Sequence, residues 1–298
     1  VSEARASMKM KSNANKIGWA FIALAVIMIC AFYFYPMIQA LILSFQSGKG
    51  ANLQFVGGDN YARLFKDQTF IITLKNTFIY LIVQVPIMIV LALFISVLLN
   101  DKDLKLKGFF RTAIFLPAVT SLVAYSVIFK YLFGADGLIN TMLMKVHLIA
   151  APIEWITDPL WAKITIIIAI TWRWTGYNMI FYLSALQNID GSIYEAARID
   201  GASPFRQFSQ ITVPLLKPII LFTSITSTIG TLQLFDEVMN ITKGGPGNST
   251  MTLSQYIYNL SFKYTPDFGY AATVSYGVVI LIVIFSILQF KLAGDKNG

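Results

Sequence analysis

The sequence predicts an all-α fold, a polytopic membrane bundle of six transmembrane helices with a cytoplasmic helix–turn–helix loop. Three observations lead there. Of 298 residues, 56% are apolar and only 13% charged, about half the charged share of an ordinary soluble domain. Six apolar runs recur along the chain, each longer than the ~20 residues that cross a bilayer. One polar insert, between the fourth and fifth runs, carries helix signals of its own. This composition excludes a disordered chain, a collagen and a disulfide scaffold. A soluble domain would lack the polar surface to cover so much apolar mass.

The runs are Ile17–Phe45, Phe70–Leu99, Phe109–Phe133, Leu160–Leu186, Ile219–Ile241 and Phe268–Phe290. In lipid the backbone must satisfy its own hydrogen bonds, so each run is expected to be helical. None alternates as a barrel strand would. The first run follows Lys9, Lys11 and Lys16, as a signal peptide would, but it continues through Pro36 and is expected to be a retained helix. Segments 1–16, 100–111, 187–218 and 291–298 hold 13 Lys and Arg, against 6 in loops 46–69, 134–159 and 242–267. This bias places both termini in the cytoplasm. The expected organisation is a cytoplasmic tail over 1–16, a transmembrane domain over 17–292 and a second tail over 293–298. The net charge of +8 thus reads as an orientation signal, not a nucleic-acid patch. The single Cys30 and single His147 cannot make a zinc site.

The polar insert, 190–217, is a predicted hairpin. Ser192 and Glu195 have capping-box spacing, and Gly201 suits the left-handed position that ends a helix. Ser203 can cap a second helix with Pro204 in its first turn. Phe205, Phe208 and Ile211 then recur on one face, and Pro214 and Pro218 mark the return to the membrane. So short a hairpin cannot form a core. Its apolar side chains must pack under the bundle, as an interfacial helix does, or against a cytoplasmic partner.

Glu195-Ala196-Ala197, three residues, Gly201, nine residues, Ile211, one residue and Val213-Pro214 resemble the EAA loop of binding-protein-dependent ABC importer permeases. Val213 stands where that pattern has Leu. The string Tyr194 to Phe205 is similar to the carbohydrate branch of the family, as are Asn76-Thr77, Leu116-Pro117, the Trp-rich fourth run and Tyr256-Ile257-Tyr258. Lys243-Gly244-Gly245-Pro246 resembles the maltose-permease large-subunit type. The resemblance implies a pore subunit paired with a second permease in the bacterial inner membrane, a solute-binding protein that delivers sugar outside, and two ATPases beneath. ATP and Mg would be held by those ATPases, with no cofactor on this chain. It also implies that Glu195, Ala196, Ala197, Asp200, Gly201, Ala202 and Phe205 touch the ATPase or shape the loop.

A sugar passage needs hydrogen-bonding groups and aromatic platforms facing a cavity. Thr120, Ser121 and Tyr125 in the third run meet that need. So do Trp172, Trp174, Thr175, Gly176 and Asn178 in the fourth, and Thr231, Gln233 and Asp236 in the fifth. Alignment to the maltose type adds Leu122 and Leu234. Each has a plainer reading: Trp near a span end anchors at the interface, and Ser or Thr bonds its own helix or a neighbour. Arg173 with Asp236 or Glu237 is a candidate buried ion pair. No P-loop string occurs, so the chain has no such ATP site. An embedded hydrolase would need a catalytic cluster, and none of its motifs is present. A permease for a glycerophosphodiester or amino acid would share the loop and differ in the span residues.

Overall fold

The computed structural model describes residues 18–49, 52–101 and 103–293. The tail over 1–16 and the last five residues lie outside them. The chain is helical almost throughout. Helix α1 is Gly18–Ser44, followed by a hairpin of β1 (Gln46–Lys49) and β2 (Asn52–Phe55) with Gln46 opposite Phe55. Then come α2 (Asp59–Leu64), α3 (Gln68–Asn100), α4 (Lys107–Val119), α5 (Leu122–Leu132), α6 (Leu138–Lys145) and α7 (Pro159–Leu186). Helix α8 is Gly191–Ile199, α9 is Pro204–Leu232, α10 is Asp236–Ile241, α11 is Leu253–Tyr258 and α12 is Phe268–Ala293.

Helices α3, α7 and α9 form the centre. The long α3 packs along α7, α9 closes over both, and α12 lies on α9 and on the second half of α1. Their buried faces meet in three apolar clusters. One joins α3, α11 and α12 around Met88, Leu253 and Tyr270. A second joins α5, α7 and α10 around Tyr125, Ile166 and Val238. The third lies toward Leu99 and Leu186 at the other end of α3 and α7.

Among the described residues, four helices are long and apolar enough to cross a membrane: α1, α3, α9 and α12. The pair α4 and α5 makes a fifth if counted together. Two expected spans are therefore corrected. The run Phe109–Phe133 is two helices meeting at 101°, because Thr120 and Ser121 are extended and α4 ends there. The fifth run ends at Leu232, with α10 starting afresh after Gln233. Helix α7 has 28 residues but buries Thr165, Arg173 and Asn178 along its length, so its apolar character is broken by groups that face the bundle.

Prolines leave their mark on the helix geometry. Pro36 and Pro214 each follow a single π turn, Cys30–Phe34 and Phe208–Thr212. A proline lacks an N–H and its ring crowds the carbonyl four residues back. A widened turn relieves that crowding without ending the helix. As a result α9 runs unbroken from the hairpin into the bundle.

The loop at Gly244-Gly245-Pro246 is held by α3. Asn76 donates to the carbonyls of Asn248 at 2.9 Å and Met251 at 3.0 Å, and Thr77 accepts from the Leu253 amide at 3.3 Å. Nearby, Asp67 caps α3 through Thr69 and Phe70 amides and accepts the phenols of Tyr256 and Tyr270. Burial pushes the Asp67 carboxyl up, but these donors together outweigh it and hold the group below its ordinary range.

Candidate functional site

The hairpin forms as two capped helices. Asp190, not Ser192, is the N-cap of α8, accepting the Ser192 amide at 2.9 Å. This corrects the expected capping box by two residues. The bond from that amide, with the Ser192 hydroxyl, holds the Asp190 carboxyl below its usual range. Gly201 has φ +75°, and the amides of Gly201 and Ala202 return to the carbonyls of Arg198 and Ala197. That is the paired closure of a Schellman turn. Ser203 caps α9 through the Arg206 amide, with Pro204 next. Tyr194 and Thr212 share a hydrogen bond of 3.0 Å that clamps α8 to the π turn of α9. The tip is bare: Ile199 is 87% exposed and Phe205 78%. Glu195, Ala196, Asp200 and Gly201 are exposed beside them, with Ala197 and Ala202 half-buried.

A cavity of about 200 Å³ lies between α3, α7 and α9. Its walls include Gln84, Met88, Trp174, Tyr177, Asn178 and Thr231, with Leu234, Thr226, Ser227, Gly230 and Ile170. Gln84 is the central residue of the 33-residue α3, which places the cavity at mid-span. Trp174 and Tyr177 meet edge to face at 5.5 Å, and Tyr177 continues through Phe181 to Phe222 as a ladder of rings. Both rings are partly exposed at the mouth. None of the eleven lining side chains is charged. The cavity thus combines aromatic faces with neutral hydrogen-bonding groups.

Of the residues singled out from sequence, this cavity gathers Trp174, Asn178, Thr231 and Leu234. Trp172 and Thr175 line a separate apolar cleft of about 530 Å³ between α3, α4 and α7. Tyr125 is 2% exposed, stacks with Trp172 and meets Phe129 at a tilt, so it packs within the second cluster. Gly176 is a contact point: a Cβ there would lie 1.9 Å from the Ile114 carbonyl of α4. Thr120 bonds the Pro117 carbonyl at the α4–α5 bend, with Ser121 next and Leu122 against the second cluster. Gln233 and Asp236 are exposed at the break before α10. Arg173 makes no ion pair with Asp236 or Glu237 within 4 Å. Its guanidinium lies 5.4 Å from the Tyr125 ring, with Nε and Nη1 unpartnered. Gln84, Met88, Ile170, Thr226, Ser227 and Gly230 were missed. Gln84 had a signal, as an amide in the middle of the most apolar span.

The model of the family described as binding-protein-dependent transport system inner membrane component matches residues 73–293. The chain belongs to that family. Among its relatives, the lactose transport system permease protein LacF of Rhizobium radiobacter is 55% identical over 295 residues, 98% of each chain. The arabinooligosaccharides transport system permease protein AraP of Bacillus subtilis (strain 168) is 34% identical, over 94% of this chain and 89% of its own. The crystal structure of a bacterial ABC transporter involved in the import of the acidic polysaccharide alginate shares the fold. Its matching chain has a TM-score of 0.85 at 20% identity, over 98% of this chain and all of that one. This inner membrane component is accordingly a multi-pass transport permease.

Proposed function

We propose that this permease passes a neutral sugar or short oligosaccharide across the bacterial inner membrane, as one half of a paired pore. The observation that carries the reading is the mid-span cavity, with Trp174 and Tyr177 edge to face, amides, hydroxyls and no charged side chain. Sugars present apolar ring faces and hydroxyls, and such walls suit both. A glycerophosphodiester or a zwitterionic amino acid would need a charged partner in so dry a place. The relatives named for lactose and arabinooligosaccharides support the neutral class.

The sugar arrives on a solute-binding protein at the outer face. Both termini and the hairpin lie in the cytoplasm, where Ile199 and Phe205 enter a cleft on an ATPase subunit. Each of two ATPases binds ATP and Mg; this chain binds neither. ATP-driven closure moves the hairpin and shifts the pore between inward- and outward-facing states. Helix α7 serves as the sixth span, encircled by α3, α4 and α9. The pathway beyond the cavity continues past Trp172, Thr175 and the α4–α5 bend.

The test is sugar-stimulated ATP hydrolysis by this chain reconstituted with its sister permease, ATPase pair and binding protein. A panel would hold lactose, arabinooligosaccharides, glycerophosphodiesters and amino acids. Stimulation by neutral sugars, lost in Gly201→Pro, is the expected result. Stimulation by a charged solute alone would overturn the sugar reading. A Gly201→Pro complex that still responds would remove the hairpin from the coupling.

A further inference from the structure

Two amides in the cavity are bonded to the wrong kind of acceptor. Gln84 is 1% exposed and Asn178 2%. Each donates an N–H to the Met88 sulfur, both at 3.3 Å. A thioether is a weak acceptor, and buried amides as a rule find oxygen. The other Asn178 N–H is held by the Trp174 carbonyl at 3.0 Å, and that bond fixes which end of the amide is nitrogen. Gln84 is oriented in the same way by Thr231, whose hydroxyl lies 3.2 Å from Oε1. Two donors from two helices therefore converge on one sulfur at the cavity wall, each amide being oriented by a second bond, Gln84 through Oε1 and Asn178 through its other N–H.

We infer that Met88 is a place-holder and that Gln84 and Asn178 together read one hydroxyl of the sugar. The inference rests on the sugar-permease reading and adds a specificity element to it. A hydroxyl oxygen has two acceptor lone pairs and is a stronger partner for both N–H groups than sulfur. Met88 has rotatable bonds enough to swing aside. The space suits the task, since a cavity of about 150 Å³ already holds a benzene ring and this one is about 200 Å³. One ring of the substrate would enter, lie along Trp174 and Tyr177, and place a hydroxyl where the sulfur now sits. A sugar lacking that hydroxyl would leave the two amides on sulfur.

The experiment uses the assembled permease–ATPase complex without binding protein, so that only the pore selects. Binding of radiolabelled lactose is measured, with competition by each monodeoxy-lactose. In the wild type one position should stand out, its deoxy analogue competing at least about tenfold less well than lactose. Gln84→Leu and Asn178→Leu should bring that analogue level with lactose. Met88→Leu conserves volume and removes the competing acceptor. It should keep the selectivity and tighten lactose binding several-fold, and it serves if the amide variants fail to assemble. Lactose binding with no deoxy position distinguished, or with Met88→Leu weakening it, overturns the two-amide reader and leaves the sugar reading standing. Failure of lactose to bind, with displacement of a charged solute instead, overturns both.

Discussion

Replacing Gly176 by Ala should destabilise the permease, against what helix propensity alone dictates. Ala in a helix interior is about 1 kcal/mol better than Gly, and Gly176 lies well inside α7. The added Cβ, however, would sit 1.9 Å from the Ile114 carbonyl oxygen and 3.1 Å from the Phe115 Cα. Ordinary contact begins near 3.4 Å, so α4 must retreat by about 1.5 Å. No side chain can rotate out of the way, because the obstacle is backbone. Overpacking costs about 1–3 kcal/mol even where side chains yield. The upper end applies here, for a net loss of about 2 kcal/mol after the propensity gain. Gly277→Ala in α12 is the internal control, since its Cβ meets nothing within 4 Å. It should stabilise by about 0.5–1 kcal/mol. The assay is thermal unfolding of the purified complex, wild type beside both variants. Because α4 leads into the bend at Thr120 and Ser121, transport by Gly176→Ala should fall as well. Equal upward shifts for the two alanines would refute the close approach of α4 and α7.

Three further outcomes are expected. Asp67, with its lowered pKa, contributes stability that is present above about pH 4 and lost as pH falls through the folded value; melting of Asp67→Asn should sit below wild type at pH 7, and the gap should narrow only as pH falls below the ordinary carboxylate range. Ile199→Asp and Phe205→Asp should leave the melting temperature of the permease unchanged, since both side chains are bare, while co-purification of the ATPase is lost; retained co-purification with full coupling would move the contact elsewhere. Arg173→Met should stabilise by about 1–3 kcal/mol, the penalty of unsatisfied buried donors, because Nε and Nη1 have no partner; a destabilised variant would show that the guanidinium does more for the Tyr125 and Trp174 rings than its burial takes away.

The hairpin was legible because its signals are local. Gly201, Ser203 and Pro204 act within one turn of themselves, and the structure places each where the spacing put it. The misplaced cap has the same origin: Asp190 and Ser192 are both good caps, and two residues decide between them. Long apolar runs were legible as helices but not as unbroken ones. The 101° bend at Thr120 and Ser121 interrupts no hydrophobic pattern, and α5 beyond it packs on α10, a contact between segments far apart in sequence. The cavity was half legible. Polar and aromatic residues on α7 and α9 announced themselves, yet their directions did not follow from type. Tyr125 and Trp172 turned toward one another, Gly176 toward α4, and Trp174 and Asn178 toward α3. Gln84 was passed over because α3 carries no motif at that level. The Asn76-Thr77 motif lies two turns away and acts on the outer loop instead.

The continuity of α9 bears on how force travels. Its 29 residues make a rod of about 40 Å, with Phe205 at one end and the cavity wall at Thr226 to Thr231 near the other. No loop lies between to absorb a displacement. A push at the tip becomes a tilt of the wall, in the manner of a crank. The π turn at Phe208–Thr212 is a soft joint next to the tip, and Tyr194 bonded to Thr212 braces it. Stiffening or loosening that brace should alter how much of each stroke reaches the sugar, leaving the grip at either end unchanged.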